Sequence, residues 1–268
     1  GAKGYLIGEV NRGLNCMFTF MNAARLGVAT EGVAAAEASF QGALAYAKDR
    51  LQMRSLTGVK NPNGPADAII VHPDVRRMLL TQKSIAEGGR ALVAYLAQLV
   101  DIGHASNDDA EKAAAETKLA LLTPIAKAFL TELGLECTSH GVQVFGGHGF
   151  IKEWGMEQIV RDARIATLYE GTTGIQALDL LGRKILLSRG KSLKAFAKEV
   201  LSFCKDKSLI SSNPHKRQMN KFIWPLSKAA ANWQQYSIRI ALKAKKNRDV
   251  VGSASVDYLM YSGYIVMA

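Results

Sequence analysis

Apolar residues recur along this chain with the period of helices. Between Met17 and Leu51 the positions Phe20, Ala24, Val28, Val33, Ala36, Phe40, Leu44 and Ala47 return every three to five residues, which builds one apolar helical face. The alanine-rich composition favours a helix that packs closely on its neighbours. From Thr57 to Ala66 the pattern breaks at Asn61-Pro62-Asn63-Gly64-Pro65, residues that supply turn conformations. Pro73 suits the first turn of a second helix to about Gly103, where its missing N–H has no partner to lose. Ser106-Asn107-Asp108-Asp109 offers a turn and an N-cap before a third helix with Leu119, Leu122, Ile125 and Phe129 on its apolar side. Pro124 lies inside it and predicts a kink, since the stripe continues to Leu135.

A fourth helix opens just beyond Glu170 and runs to about Leu187, with Ile175, Leu178 and Leu181 as its apolar positions. Short connections between four such elements predict an all-α fold, an antiparallel up-and-down four-helix bundle over residues 15–189. Residues 190–268 read as a basic extension of two or three helices, about 191–207, 215–246 and 253–267, separated by Ser211-Ser212-Asn213-Pro214 and by Gly252. Residues 1–14, with Gly1, Gly4, Gly8 and Gly13 around Tyr5-Leu6-Ile7, read as a strand end and linker.

Composition narrows the picture. At 268 residues and 48% hydrophobic content, the chain can bury a large core. No apolar run reaches the roughly 18 residues of a membrane span, and no secretory signal opens the sequence. The cytoplasm is the expected setting, and the front, lacking an initiator Met, reads as truncated. Cys16, Cys137 and Cys204 form no C-x-x-C pair and read as reduced core thiols. His72, His104, His140, His148 and His215 lack ligand spacing, so no metal site is expected. His148 interrupts a glycine turn and reads as a local hydrogen-bonding residue.

The net charge of +11 is unevenly placed. Residues 183–248 carry 17 Lys plus Arg against only Glu199 and Asp206, so the remainder is net acidic. Such a segment can attract nucleic acid, an anionic membrane or a phosphate-bearing ligand. The favoured reading is a solvated helical face over packed Phe196, Leu201, Phe222, Trp224 and Trp233.

Candidate chemistry sits in Leu168-Tyr169-Glu170-Gly171-Thr172-Thr173-Gly174-Ile175-Gln176, where a carboxylate stands between an aromatic ring and a glycine at a helix start. It is either a cap, with threonine oxygens and an acid at the positive end of the helix dipole, or a reagent. Upstream, Gln143-Val144-Phe145-Gly146-Gly147-His148-Gly149-Phe150 leads through Trp154 to Arg161-Asp162-Ala163-Arg164. Glycines that dense let a bulky ligand approach the backbone.

These three motifs, in this order and spacing, resemble the C-terminal domain of the acyl-CoA dehydrogenase flavoproteins. Met21-Asn22-Ala23-Ala24-Arg25 and Tyr46-Ala47-Lys48-Asp49-Arg50 agree, so the resemblance covers roughly residues 1–188. The run from Ile70 to Lys83 is most similar to the branch that includes 3-methylmercaptopropionyl-CoA dehydrogenases and carries a C-terminal helical extension.

The resemblance implies an FAD-dependent oxidation of an acyl-CoA thioester to a trans-2-enoyl-CoA. Glu170 matches the catalytic base, which takes the α-proton while hydride leaves the β-carbon for flavin N5. Tyr169 and Gly171 match substrate neighbours, the ring excluding water and the missing side chain making room for the thioester. Arg25 matches an arginine near the CoA portion; its alternative is an ordinary solvated helix residue. Arg50, Gln52 and Met53 match a segment that contacts FAD, with the arginine near the pyrophosphate. Gln143, Gly146 and Gly147 are implied to reach a neighbouring subunit's cofactor, and Thr172 and Gly174 to lie by the flavin that serves Glu170.

Arg25 and Arg50 stand about 37 Å apart if one helix joins them. The two ends are therefore expected to serve different active sites of a homo-dimer or tetramer, with electron-transfer flavoprotein as the implied acceptor. The chain departs from the family where Met53 and Arg54 replace an aromatic and a glycine, where Gly174 replaces a side-chain amide, and where Asn22 replaces a carboxylate. A second reading, from relatives of the alkylation-response type, is a nucleic-acid-binding flavoprotein that uses the basic C-terminal helices. A third has those helices hold the enzyme on an anionic membrane.

Overall fold

The computed structural model describes residues 1–208 and 214–268. Among them the fold is all-α, with a single antiparallel bridge between Leu51 and Ala68. Helices α1 (Gly13–Asp49), α2 (Pro73–Ala105) and α3 (Asp109–Phe145) form the body of the bundle. α1 and α3 meet backbone to backbone: a Cβ on Gly32 would lie 2.4 Å from the Leu130 carbonyl oxygen, and one on Gly134 2.4 Å from that of Gly32. Ser39 on α1 joins the other two helices, its Oγ lying 2.8 Å from Gln82 Oε1 and 2.9 Å from the Cys137 carbonyl oxygen. The expected start signals operate. Pro73 opens α2, and the Asp108 side chain accepts the Ala110 N–H at 2.8 Å to cap α3. α3 passes through Pro124 without ending.

The fourth position of the bundle is built from pieces. α4 (Met156–Ala166) leads into a turn, and α5 (Thr173–Leu178) then widens into a π-helical run, Asp179–Leu187. α4 was not among the expected helices, although Met156, Ile159, Val160, Ala163 and Ala166 recur at helical spacing along its 11 residues.

The extension forms α6 (Lys191–Lys207), α7 (Lys216–Ala244) and α8 (Asp249–Met267). Most of the expected Ser211–Pro214 break lies outside the described residues. Gly252 falls inside α8, not before it: an interior glycine costs a helix only about 1 kcal/mol, and the buried Tyr258, Leu259 and Ile265 hold α8 in place. Phe196, Trp233, Leu259 and Ile265 share one apolar core with Phe129 and Leu133 of α3. A smaller cluster, including Ala47, Ile69, Met78, Phe145 and Met156, sits at the far end of the bundle.

Some expectations change. Residues 1–7 form no strand, and Tyr5, Leu6 and Ile7 are exposed. Phe20, placed on the buried stripe by its spacing, is 60% exposed near the start of α1. Phe222 and Trp224 are 70% and 67% exposed, while Phe196 and Trp233 are buried as expected. Cys137 and Cys204 are buried thiols, but Cys16 is exposed. No helix among the described residues is long and apolar enough to cross a membrane.

Candidate active site

Glu170 lies in the turn between α4 and α5, at φ +55°, and is followed by Gly171 at φ +96°. A left-handed backbone costs a glutamate about 1–2 kcal/mol, so surrounding contacts must hold it. Lys127 on α3, fully buried, donates from Nζ to the Ala166 carbonyl at 2.8 Å and to the Gly171 carbonyl at 2.7 Å. Gln176 Nε2 donates to the Glu170 carbonyl at 3.0 Å. The Thr172 hydroxyl accepts the Ile175 N–H at 3.3 Å as the cap of α5, and the Thr173 hydroxyl donates to Glu132. The Tyr169 hydroxyl donates to Glu31 on α1. Gly171 is required by its φ and by space, since a Cβ there would lie 2.4 Å from Gln176 Nε2.

The carboxylate itself is half-buried, and its Oε2 is buried with no hydrogen-bond partner among the described residues. Such an oxygen is costly to leave without a partner. Ile165, Leu168, Tyr169, Ile175 and Leu178 surround the turn with apolar surface that is 39–50% exposed.

Charges crowd the region. Burial lowers the Lys127 ammonium to about 8, and nearby Arg25 adds to the fall, while Glu132, Glu170 and Glu31 push the other way. The hydrogen bond to Glu31 raises the Tyr169 phenol to about 12. Arg25 is buried, with Nη1 3.7 Å from Asp179 Oδ2 and 3.5 Å from Asn22 Oδ1, which sets aside the solvated alternative. Asp179 also receives Arg183 Nε at 3.0 Å.

At the C-terminal end of α1, Arg50, Gln52, Met53, Gln143, Gly146 and Gly147 line one groove of about 620 Å³. A Cβ on Gly146 or Gly147 would meet nothing within 4 Å, so their backbone faces open space. Arg50 is exposed and has no ion-pair partner among the described residues. His148 lies 3.0 Å through Nδ1 from the Tyr46 hydroxyl and stacks on Trp154, a local bonding role as expected.

The departures at Met53 and Arg54 have a local cause. Met53 takes φ +61°, and the Arg54 guanidinium donates to the carbonyls of Asn61 at 2.7 Å and Gly64 at 2.6 Å. Buried Asp67 completes the lock by accepting the N–H groups of Ser55, Lys60 and Asn61 at 2.7–2.9 Å. Those bonds, the one from Ser55 first, hold its carboxyl at about 2.

The predicted residues thus fall into two groups: Glu170, Tyr169, Gly171, Thr172, Gly174 and Arg25 beside the middle of α1, and the groove residues at its C-terminal end. Sequence reasoning missed Lys127, Gln176, Glu132, Glu31 and Asp67. For Lys127 a signal existed, because it is the only charge in the otherwise uncharged run Leu121–Leu130.

This bundle is of a recognised flavoenzyme type. Residues 11–186 match the family described as "Acyl-CoA dehydrogenase, C-terminal domain", and residues 196–268 match that described as "Acetyl-CoA dehydrogenase C-terminal like". The chain belongs to the acyl-CoA dehydrogenase family. It is 47% identical over 199 residues to the 3-methylmercaptopropionyl-CoA dehydrogenase of Ruegeria pomeroyi, covering 74% of this chain and 33% of that protein. It is 39% identical over 203 residues to a broad-specificity linear acyl-CoA dehydrogenase of Mycobacterium tuberculosis, covering 75% and 33%. It is also 30% identical over 176 residues to a subunit of the caffeyl-CoA reductase-Etf complex of Acetobacterium woodii, covering 66% and 40%. The chain spans about a third of the length of the first two relatives. An acyl-CoA dehydrogenase from Bacillus anthracis complexed with FAD shares the fold at a TM-score of 0.73 and 20% identity, over 97% of this chain and 43% of that one.

Proposed function

We propose that this chain is the C-terminal part of an FAD-dependent acyl-CoA dehydrogenase. In this reading Glu170 removes the α-proton of an acyl-CoA thioester as the β-hydrogen leaves with its electron pair, giving a trans-2-enoyl-CoA. The observation that carries it is the Glu170 carboxylate, with one buried oxygen lacking a partner, on a left-handed turn that side chains from α3 and α5 hold in place. A base fixed in this way loses little freedom when it meets its proton. The apolar rim around it, once covered by substrate and the rest of a longer protein, keeps water from the carboxylate.

The residues present fit FAD. Arg50 offers an unpaired cation to a pyrophosphate, Gly146 and Gly147 leave their backbone open, Gln52 and Gln143 offer amides, and Met53 an apolar edge. Thr172 and Gly174 are assigned to the flavin beside Glu170, and Arg25, Tyr169 and Gly171 to the acyl-CoA. When bound, the flavin supplies the hydride acceptor at N5. With one group beside the middle of α1 and the other at its C-terminal end, the reading gives them to different active sites of a homo-oligomer. The caffeyl-CoA reductase-Etf relative supports an electron-transfer flavoprotein as acceptor.

The test is Glu170→Gln in the full-length protein. Flavin content should hold while kcat falls by about 10²–10⁴; turnover like that of the wild type would falsify the assignment. One observation favours a second reading, nucleic-acid binding by the extension. Trp224 stands exposed on the same face of α7 as Arg217, Lys221 and Lys228, the mix of ring and cation that suits nucleic acid.

A further inference from the structure

Lys127 is a buried charge given no contact with substrate or flavin in the reaction proposed above, yet it bonds to the turn that carries the base. Its side chain crosses from α3 to the Glu170 turn without reaching solvent. The two carbonyls it holds belong to Ala166, the last residue of α4, and to Gly171, just after the base. One ammonium thus ties together the two ends of the loop that displays Glu170.

We infer that Lys127 is a positioning residue for proton abstraction, fixing the carboxylate of Glu170 by pinning the turn on both sides of it. The inference rests on the assignment of Glu170 as base. Three facts support it. Burying an ammonium is expensive unless it is fully engaged, so a long apolar side chain would fill the same space more cheaply. Glu170 sits in a backbone region that a glutamate does not choose, so the turn relaxes when its restraints are removed. Finally, Gln176 holds only the Glu170 carbonyl between those two anchors, so it cannot stand in for them.

The charge matters as well as the reach. Lys127 faces Glu132 on its own helix, Arg25 and Glu31 on α1, and Glu170 on the turn. A neutral amine donates weaker bonds than an ammonium and no longer offsets these three carboxylates. With burial holding its proton affinity down to about 8, the clamp loosens in mildly alkaline solution.

The experiment compares wild type, Lys127→Met, Lys127→Arg and Glu170→Gln in the full-length enzyme for flavin content, KM, kcat and the kcat–pH profile. Lys127→Met is expected to keep its flavin and a KM within about threefold of wild type, while kcat falls about a hundredfold, the cost of a displaced reacting group. Lys127→Arg, which keeps the cation, should recover part of kcat. Wild-type kcat should decline above about pH 8, and the residual activity of Lys127→Met should lack that decline. Lys127→Met turnover within about twofold of wild type, a difference too small for a displaced base, overturns the inference. So does a wild-type kcat that stays level through alkaline pH, a result that stands even if Lys127→Met fails to fold. If Glu170→Gln is inactive and Lys127→Met normal, only the role of Lys127 falls; if Glu170→Gln turns over normally, the base assignment itself falls.

Discussion

At the scale of single residues, two buried ionised groups give this protein pH responses at opposite ends of the pH range. The Asp67 carboxyl is held at about 2 against an ordinary 3.8, so its contribution to stability is complete above about 3.8 and is lost as the pH falls through about 2. Wild type should therefore lose thermal stability faster than Asp67→Asn between those values, measured as Tm against pH. Equal slopes for the two proteins would show that the loop from Ser55 to Asp67 does not depend on this charge. Lys127 runs the other way in its effect on function. Its folded value near 8 lies below the ordinary 10.5, so between these the unfolded chain binds more protons and stability rises with pH. The same range is where the clamp on Glu170 weakens. Above about pH 8 wild type should gain in Tm relative to Lys127→Met while its turnover declines.

At the scale of elements, packing distances make the C-terminal helices partners of the bundle. Gly263 on α8 lies against the Phe129 ring of α3, and a Cβ there would approach it to 2.2 Å. Gly263→Ala is expected to destabilise the whole chain by about 1–3 kcal/mol, seen as a lower midpoint of a single unfolding transition. A separate early transition would mean that α8 melts on its own. The long elements were legible for two reasons: α1, α2 and α6 follow the spacing of their buried residues and the signal at Pro73, while α3 shows its cap at Asp108 and an apolar run buried all round from Leu121 to Thr131. The site was legible as a linear motif, which brought out Glu170 and Gly171 together with the groove residues Arg50 and Gly146. What holds the turn was not, because Lys127 precedes Glu170 by a whole helix, and Glu31 lies on α1. Contacts over such separations leave no periodic mark. Phe222 and Trp224 failed for a related reason: helical spacing says that residues share a face, not which face is covered.

At the scale of the molecule, the chain presents two open surfaces, the apolar rim around Glu170 and the groove beneath Arg50. A carboxylate ringed by half-exposed apolar side chains is too wet to work as the reading requires, so the 268 residues alone should bind FAD weakly and turn over no acyl-CoA. Measurable dehydrogenation by this chain by itself would contradict that. The basic face of α7 gives a separate test: if it binds nucleic acid, duplex affinity should fall steeply with salt, and Lys221→Glu with Lys228→Glu should abolish it. The position of Arg25 and Arg50 about 37 Å apart along α1 has a genetic consequence. If Glu170 of one subunit works with the Arg50 groove of another, a subunit lacking Glu170 and a subunit lacking Arg50 are both inactive alone. Mixed into one dimer, they would gather both lesions in one site and leave the other whole, so two inactive variants should recover activity when expressed together.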